Sequence, residues 1–334
     1  MAILAGCNQN EQQISKFKNT QLEYKTDMGV IWEIIKERFT IKRVAPEPTS
    51  TMPVKPLTFA EIQQAKENSA VKLGHSSMLL KINSQIILLD PVFSDRASPV
   101  QWAGPKRFHQ TPITLDELEY IDVIVISHDH YDHLDKGTIK ALNQKVGHFV
   151  VPLKIGKYLL KWGVSKDKIT ELDWWQEHQL NGVTYIATPT QHFSGRGLFD
   201  RDETLWASWV IQSEDVNIYF SGDSGYFSGF KEIGNKYGPF DLTLVETGAY
   251  NKLWKEIHMM PEESVQAHLD LQGKVMMPIH NATFDLAMHD WDEPLERVSE
   301  LAKTHNIELA TPVFGDIFEI QQVNRPIRWW RLME

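Results

Sequence analysis

Ser127-His128-Asp129-His130-Tyr131-Asp132-His133-Leu134 follows directly on an apolar run at residues 121–126. A run of that composition reads as a buried strand, so the chain leaves a sheet near Ser127, where side chains converge on a point instead of scattering around a helix. His128, His130, Asp132 and His133 place three imidazoles and a carboxylate within six positions. In an extended or tightly turned loop, His128 and His130 project to one side, while Asp132 and His133 point past it. That is the outline of a binuclear metal centre. Imidazole and carboxylate donors suit Zn²⁺ first, with Fe or Mn as weaker fits. A solvated loop that is histidine-rich by chance is the competing account, and four donors at this density leave it little room.

Two ions need more ligands than one loop supplies. Thr190-Gln191-His192 follows the apolar stretch 183–187, Ser221-Gly222-Asp223 follows 216–220, and Pro278-Ile279-His280 follows 275–277. Each offers a ligand just past a strand's carboxyl end. A single histidine in such a place is usually a satisfied polar residue; three in the same format support one another.

The order H-x-H-x-D-H, then His192, Asp223 and His280, resembles the metallo-β-lactamase superfamily. Residues 71–294 resemble more closely the subgroup of N-acylphosphatidylethanolamine-hydrolysing phospholipase D and its bacterial relatives. The stretches that carry this are Leu73-Gly74-His75-Ser76-Ser77, Leu89-Asp90-Pro91-Val92-Phe93, Leu205-Trp206-Ala207-Ser208-Trp209, Ser221-Gly222-Asp223-Ser224-Gly225-Tyr226, His258-Met259-Met260-Pro261-Glu262-Glu263 and His280-Asn281-Ala282-Thr283-Phe284. The resemblance implies one zinc on His128, His130 and His192, a second on Asp132, His133 and His280, and Asp223 shared between them. It further implies hydrolysis by a hydroxide held between the two ions, so that no side-chain nucleophile is required.

Among thirteen histidines, His258 is the best candidate to face the substrate, since the resembled family has a histidine there, ahead of the helix start Pro261-Glu262-Glu263. It would orient the phosphate or protonate the leaving alkoxide, although a helix-cap contact is a rival role. His75 and Asp90, beside apolar strands, are expected to support ligands or line the pocket. Phe193, Phe199, Trp206, Phe227, Tyr250, Leu253 and Trp254 are candidates for an apolar groove. His109, His148, His178, His268, His289 and His305 read as surface or packing residues. Cys7, the only cysteine, rules out a cysteine metal ligand from the core.

Leu4-Ala5-Gly6-Cys7 matches a lipobox, but only three residues precede it, too few for the h-region of about 7–15 residues that a signal peptide carries. An upstream start would place the protein in the bacterial cell envelope, anchored through Cys7. Otherwise it is cytoplasmic or peripheral. Residues 1–55, ending in Pro46-Glu47-Pro48 and Pro53, read as an N-terminal extension with a helix near 31–39, and 56–334 as the hydrolase domain.

Strands are expected near 71–73, 77–82, 86–89, 121–126, 147–151, 183–187, 205–212, 216–221, 242–246 and 274–277. Helices are expected near 59–67, 114–119, 135–143, 154–161, 227–235, 261–270 and 292–304. This order fits the resembled αβ/βα sandwich, two mixed sheets face to face under outer helices. The segment Ile327-Arg328-Trp329-Trp330-Arg331-Leu332 reads either as an interfacial segment or as a packed terminal element. A formal charge of −10 disfavours a nucleic-acid partner.

The expected function is that of a binuclear zinc hydrolase of the phospholipase D type, acting on N-acylphosphatidylethanolamine or a related phospholipid. Peripheral contact with a membrane follows from such a substrate, and the resembled family includes homodimers. Two alternatives stay open at this point: a sugar-phosphate lactonase, and a zinc-stabilised surface lipoprotein without catalysis.

Overall fold

The computed structural model describes residues 16–23, 28–322 and 327–333; Cys7 and the expected tether lie outside them. The strands β1 (Ser69–Gly74), β2 (Ser77–Ile82), β3 (Gln85–Leu89), β4 (Ile121–Val125), β5 (Val146–Pro152), β6 (Ile169–Leu172) and a late β14 (Ile317–Glu319) make one sheet, in the order β14-β1-β2-β3-β4-β5-β6. A second sheet holds β7 (Glu177–Leu180), β8 (Val183–Thr188), β9 (Ser208–Gln212), β10 (Asn217–Phe220), β11 (Phe240–Glu246), β12 (Gly273–Ile279) and β13 (Glu308–Leu309), in the order β13-β12-β11-β10-β9-β8-β7. Both sheets are mixed: β3 to β6 and β10 to β13 pair in parallel, and the other pairings are antiparallel.

Alternation along the strands fixes which residues face inward. Val123 and Val125 of β4 join Leu242 and Leu244 of β11 and Met277 of β12 in the core between the sheets. Their neighbours Ile124 and Ile126 point outward beneath α2 (Phe59–Gln64), α3 (Lys136–Leu142) and α4 (Gly156–Lys161), where they meet Ile62, Ile139 and Leu159. On the other face, α5 (Gly229–Tyr237), α6 (Pro261–Asp270) and α7 (Glu293–Thr304) present Phe230, Val265 and Val298 to Val245 and Met276. The parallel strands are thus covered on both faces, which explains their uninterrupted apolar runs. Each fully buried branched side chain contributes about 1.5–3 kcal/mol. The architecture is the expected αβ/βα sandwich. A further helix, α1 (Met28–Thr40), packs on the 3₁₀ turn Lys252–Trp254 through the Asn251–Glu37 hydrogen bond of 2.9 Å.

Several expectations are corrected. Residues 114–119 form a turn, not a helix: Thr114 and Glu117 close a single reciprocal capping box, and no further turn extends it. The sequence reading also passed over β6, β7, β13 and β14, which are short and sit at or near sheet edges. The C-terminal segment is a packed terminal element and not an interfacial one. Trp329 and Trp330 are buried against Trp291 and Phe314, while Arg328 and Arg331 pair with Glu296 and Glu300 on α7. No helix among the described residues is long and apolar enough to cross a membrane.

Candidate metal centre

The chain leaves β3, β4, β8, β10, β11 and β12 at one edge of the sandwich. Asp90 follows β3, the 127–134 loop follows β4, His192 follows β8, Asp223 follows β10, Glu246 ends β11 and His280 follows β12. Within the 127–134 loop the backbone turns tightly, Leu134 N–H donating to the His130 carbonyl at 2.8 Å. This turn sends His128 and His130 one way and Asp132 and His133 the other. His128, His130, His192 and Asp223 bring one donor atom each within 4.8 Å of one another, and so do His75, Asp132, His133 and His280. Asp223 lies between the two groups. Its oxygens are 3.1 Å from His133 Nε2 and from His280 Nε2, and 3.9 and 3.8 Å from His128 Nε2 and His192 Nε2.

The backbone is shaped for this convergence. His75, Asp90 and His280 all adopt left-handed φ, at 52°, 39° and 63°, where a residue with a Cβ is strained. Gly222, at φ 56°, could not be replaced without movement, because an added Cβ would lie 2.7 Å from Ser127 Cβ. Contact between the two strand ends, and with it the approach of Asp223 to the histidine loop, depends on that missing carbon.

Hydrogen bonds then fix the imidazoles. His133 Nδ1 donates to the fully buried Asp90 at 2.7 Å, which leaves Nε2 facing Asp223. His128 Nδ1 donates to Ser127 Oγ at 2.9 Å, and that hydroxyl donates in turn to Asp90. His192 Nδ1 donates to the Ile257 carbonyl at 3.0 Å. One carboxylate, Asp90, therefore orients a histidine in each group.

Elementary electrostatics shows that the residues fit divalent cations. His133 Nε2, His280 Nε2 and Asp223 Oδ1 are buried with no hydrogen-bond partner, which is costly unless another group satisfies them. His128 Nε2 and His192 Nε2 lie 2.9 and 3.2 Å from His130 Nδ1, so three nitrogens aim at one small volume. Burial holds His128, His130 and His192 below the usual imidazole range, keeping their lone pairs free. Burial also opposes ionisation of Asp223, but His133 and His280 outweigh it and hold the carboxyl well below its usual range. Against the same burial, Asp223 lifts His280 to about 10. Without cations the carboxylates recruit protons to these rings; cations would supply the same charge.

Above the donors opens a cavity of about 330 Å³, lined by His130, Asp132, Asp223, His258 and His280 and by the apolar Phe193, Trp254, Ile257 and Leu286. His258 Nδ1 bonds Glu246, a carboxylate that the sequence reading missed. Glu246 is fully buried, accepts Ser224 N–H at 2.6 Å, and burial pushes its carboxyl up. Its signal was present, since it too ends an apolar strand. His75 contacts Asp132 at 3.0 Å.

Of the expected groove residues, the cavity takes Phe193 and Trp254. Tyr250 is turned away, its hydroxyl donating to Glu293 at 2.8 Å and its ring stacked on His289. Phe227 belongs to the core under α5, and Phe199 is exposed.

Residues 85–281 match the beta-lactamase superfamily domain. The chain is 42% identical over 307 residues to an uncharacterized protein of Mycobacterium tuberculosis, covering 91% of this chain and 81% of that protein. It is 35% identical over 288 residues to N-acyl-phosphatidylethanolamine-hydrolyzing phospholipase D 1 of Caenorhabditis elegans, covering 81% of each. In structure it is similar to Igni18, a metallo hydrolase of the archaeon Ignicoccus hospitalis, with a TM-score of 0.57 and 20% identity over 75% of this chain and 96% of that one. At that identity the likeness is one of fold.

Proposed function

Because the chain belongs to the beta-lactamase superfamily and is one of its metal-dependent hydrolases, we propose that it is a phosphodiesterase of the phospholipase D type. Its substrate in this reading is N-acylphosphatidylethanolamine or a related phospholipid, approached from a membrane surface. The observation that supports the reading best is the pair of donor groups meeting at Asp223 beneath an open cavity with one apolar wall. Kinship with the nematode phospholipase supplies the substrate class. The same reading takes 56–334 as the hydrolase domain, with the preceding chain laid on its surface.

His128, His130 and His192 would hold one cation, and Asp132, His133 and His280 a second, with Asp223 contributing to both. Zinc suits these donors first. Bound there, two such ions would supply Lewis acidity toward a phosphoryl oxygen and lower the pKa of water toward neutrality. The protein's own groups do the rest. Phe193, Trp254, Ile257 and Leu286 would receive apolar parts of the lipid and exclude water. Attack of water on phosphorus breaks the bond to the head-group oxygen, and His258, steadied by Glu246, is placed to return a proton to that oxygen. The products are phosphatidic acid and an N-acylethanolamine.

The direct test is metal content per chain, with phospholipid and sugar-phosphate lactone substrates assayed on the same purified sample. Two zincs with release of phosphatidic acid is the expected result. Lactone turnover alone would overturn the proposed substrate.

His258→Ala should keep both ions while lowering kcat by about 10²-fold, the lower range for loss of a proton-transfer group. Because His258 also lies within donor distance of Asp223, Glu246 and His280, the ion count decides its role. Loss of an ion from this variant would make His258 a ligand.

A further inference from the structure

The segment 16–23, expected to be part of a free extension, lies against the donor cluster. Asn19 Nδ2 donates to the His192 carbonyl at 2.8 Å, and His192 N–H donates to Asn19 Oδ1 at 3.1 Å. The same oxygen accepts from Trp206 Nε1 at 3.0 Å. His192 lies beyond the end of β8, outside the sheet ladder, so its N–H and C=O need partners from elsewhere. A primary amide is the side chain that can meet both at once, one atom donating and the other accepting. On either side of Asn19 the segment is tied down again: Phe17 N–H donates to the Asp202 carbonyl at 2.8 Å, Lys154 Nζ sits 4.8 Å over the Phe17 ring, and Gln21 bonds Ser228. Phe17 and Asn19 also wall a second cavity of about 490 Å³ whose opposite side is His192, Phe193 and Trp206.

Resting on the reading of His192 as a metal ligand, we infer that the segment 16–23 is a strap that completes the metal centre, with Asn19 as a positioning residue for His192. The imidazole is then held at two points, its ring by the Ile257 carbonyl and its backbone by Asn19. Both are needed to keep Nε2 3.2 Å from His130 Nδ1 and 3.8 Å from Asp223. Without Asn19 the ring hinges about a single hydrogen bond, and the ion shared with His128 and His130 loses one of its three nitrogens for part of the time.

The test is cobalt titration of the full chain, read by calorimetry and by the visible d–d absorption of each ion. The wild type should take two ions. Asn19→Ala should bind one ion as before and the other about 10-fold more weakly, with a changed absorption band for the weakened site. Asn19→Asp keeps both acceptor bonds but sets an oxygen against the His192 carbonyl, so it should not restore the band. Gln21→Ala loosens the same strap without touching His192 and should behave as the wild type, which separates positioning from general stability. Wild-type affinity and absorption in both Asn19 variants would overturn the inference. His192→Ala should lose one cobalt band outright. If it keeps both, His192 is no ligand, and that failure removes the metal-centre assignment and the strap's role with it, whereas failure in the Asn19 variants alone leaves the assignment standing.

Discussion

Asp223→Ala should reduce bound divalent ions from two to at most one and lower turnover by more than about 10²-fold, the upper end of what loss of a merely supporting partner costs. The reason is position. Asp223 is the one carboxylate within 4 Å of histidines from both groups, namely His128 and His192 on one side and His133 and His280 on the other. Its Oδ1 makes no hydrogen bond within the protein and no backbone group depends on its side chain, so the fold has little to lose. The melting temperature of the metal-free variant should therefore stay near that of the metal-free wild type, because the substitution also relieves a buried charge. Metal analysis, a melt and an activity assay on one preparation check all three statements. A variant that retains two ions and full rate would remove Asp223 from the centre.

The legible part of this site was set by strand ends. His128, His192, Asp223 and His280 each follow an apolar run, and apolar runs are what a sandwich with both sheets covered produces. Glu246 escaped notice because it completes its strand instead of following it, although the format is the same. Edge strands were lost for the opposite reason: Glu177-His178-Gln179-Leu180 of β7 buries little, so no hydrophobic period marks it. The turn at Thr114 and Glu117 misled because a capping box is a signal for helix initiation, and a single box closes one turn as well as it starts many. Trp329 and Trp330 misled because aromatic residues beside arginines suit an interface and a terminal pack alike; the deciding partners, Glu296 and Glu300, lie about thirty residues earlier in the sequence. Asn19 could not have been found at all. Its bonds go to the backbone of a residue 173 positions away, and backbone groups have no sequence signature.

Asp90 carries the second large expectation. Asp90→Ala should cost about 3–5 kcal/mol of stability and weaken both ions together, in contrast to the single-site loss expected at Asn19. Asp90 is fully buried and accepts from Ser127 N–H at 2.7 Å, from Ser127 Oγ and from His133 Nδ1. Without it, three donors lose their acceptor in a place water does not reach. His133 is then free to turn its ring, so that Nε2 no longer faces Asp223. Ser127 Oγ loses the acceptor that fixes its hydrogen, so His128 loses the partner that fixes its tautomer. One substitution thus reaches a ligand in each group through separate paths, one direct and one through a hydroxyl. Asp90→Asn tests the argument without opening a cavity. The amide can still accept through one oxygen, but its NH₂ faces groups that donate, so stability should recover in part while metal affinity stays low. Ser127→Ala isolates the second path and should weaken only the ion that His128 holds. If Asp90→Asn bound both ions as tightly as the wild type, the carboxylate would be a packing and hydrogen-bonding anchor for the strand end alone, and orientation of the histidines would have to come from the loop backbone.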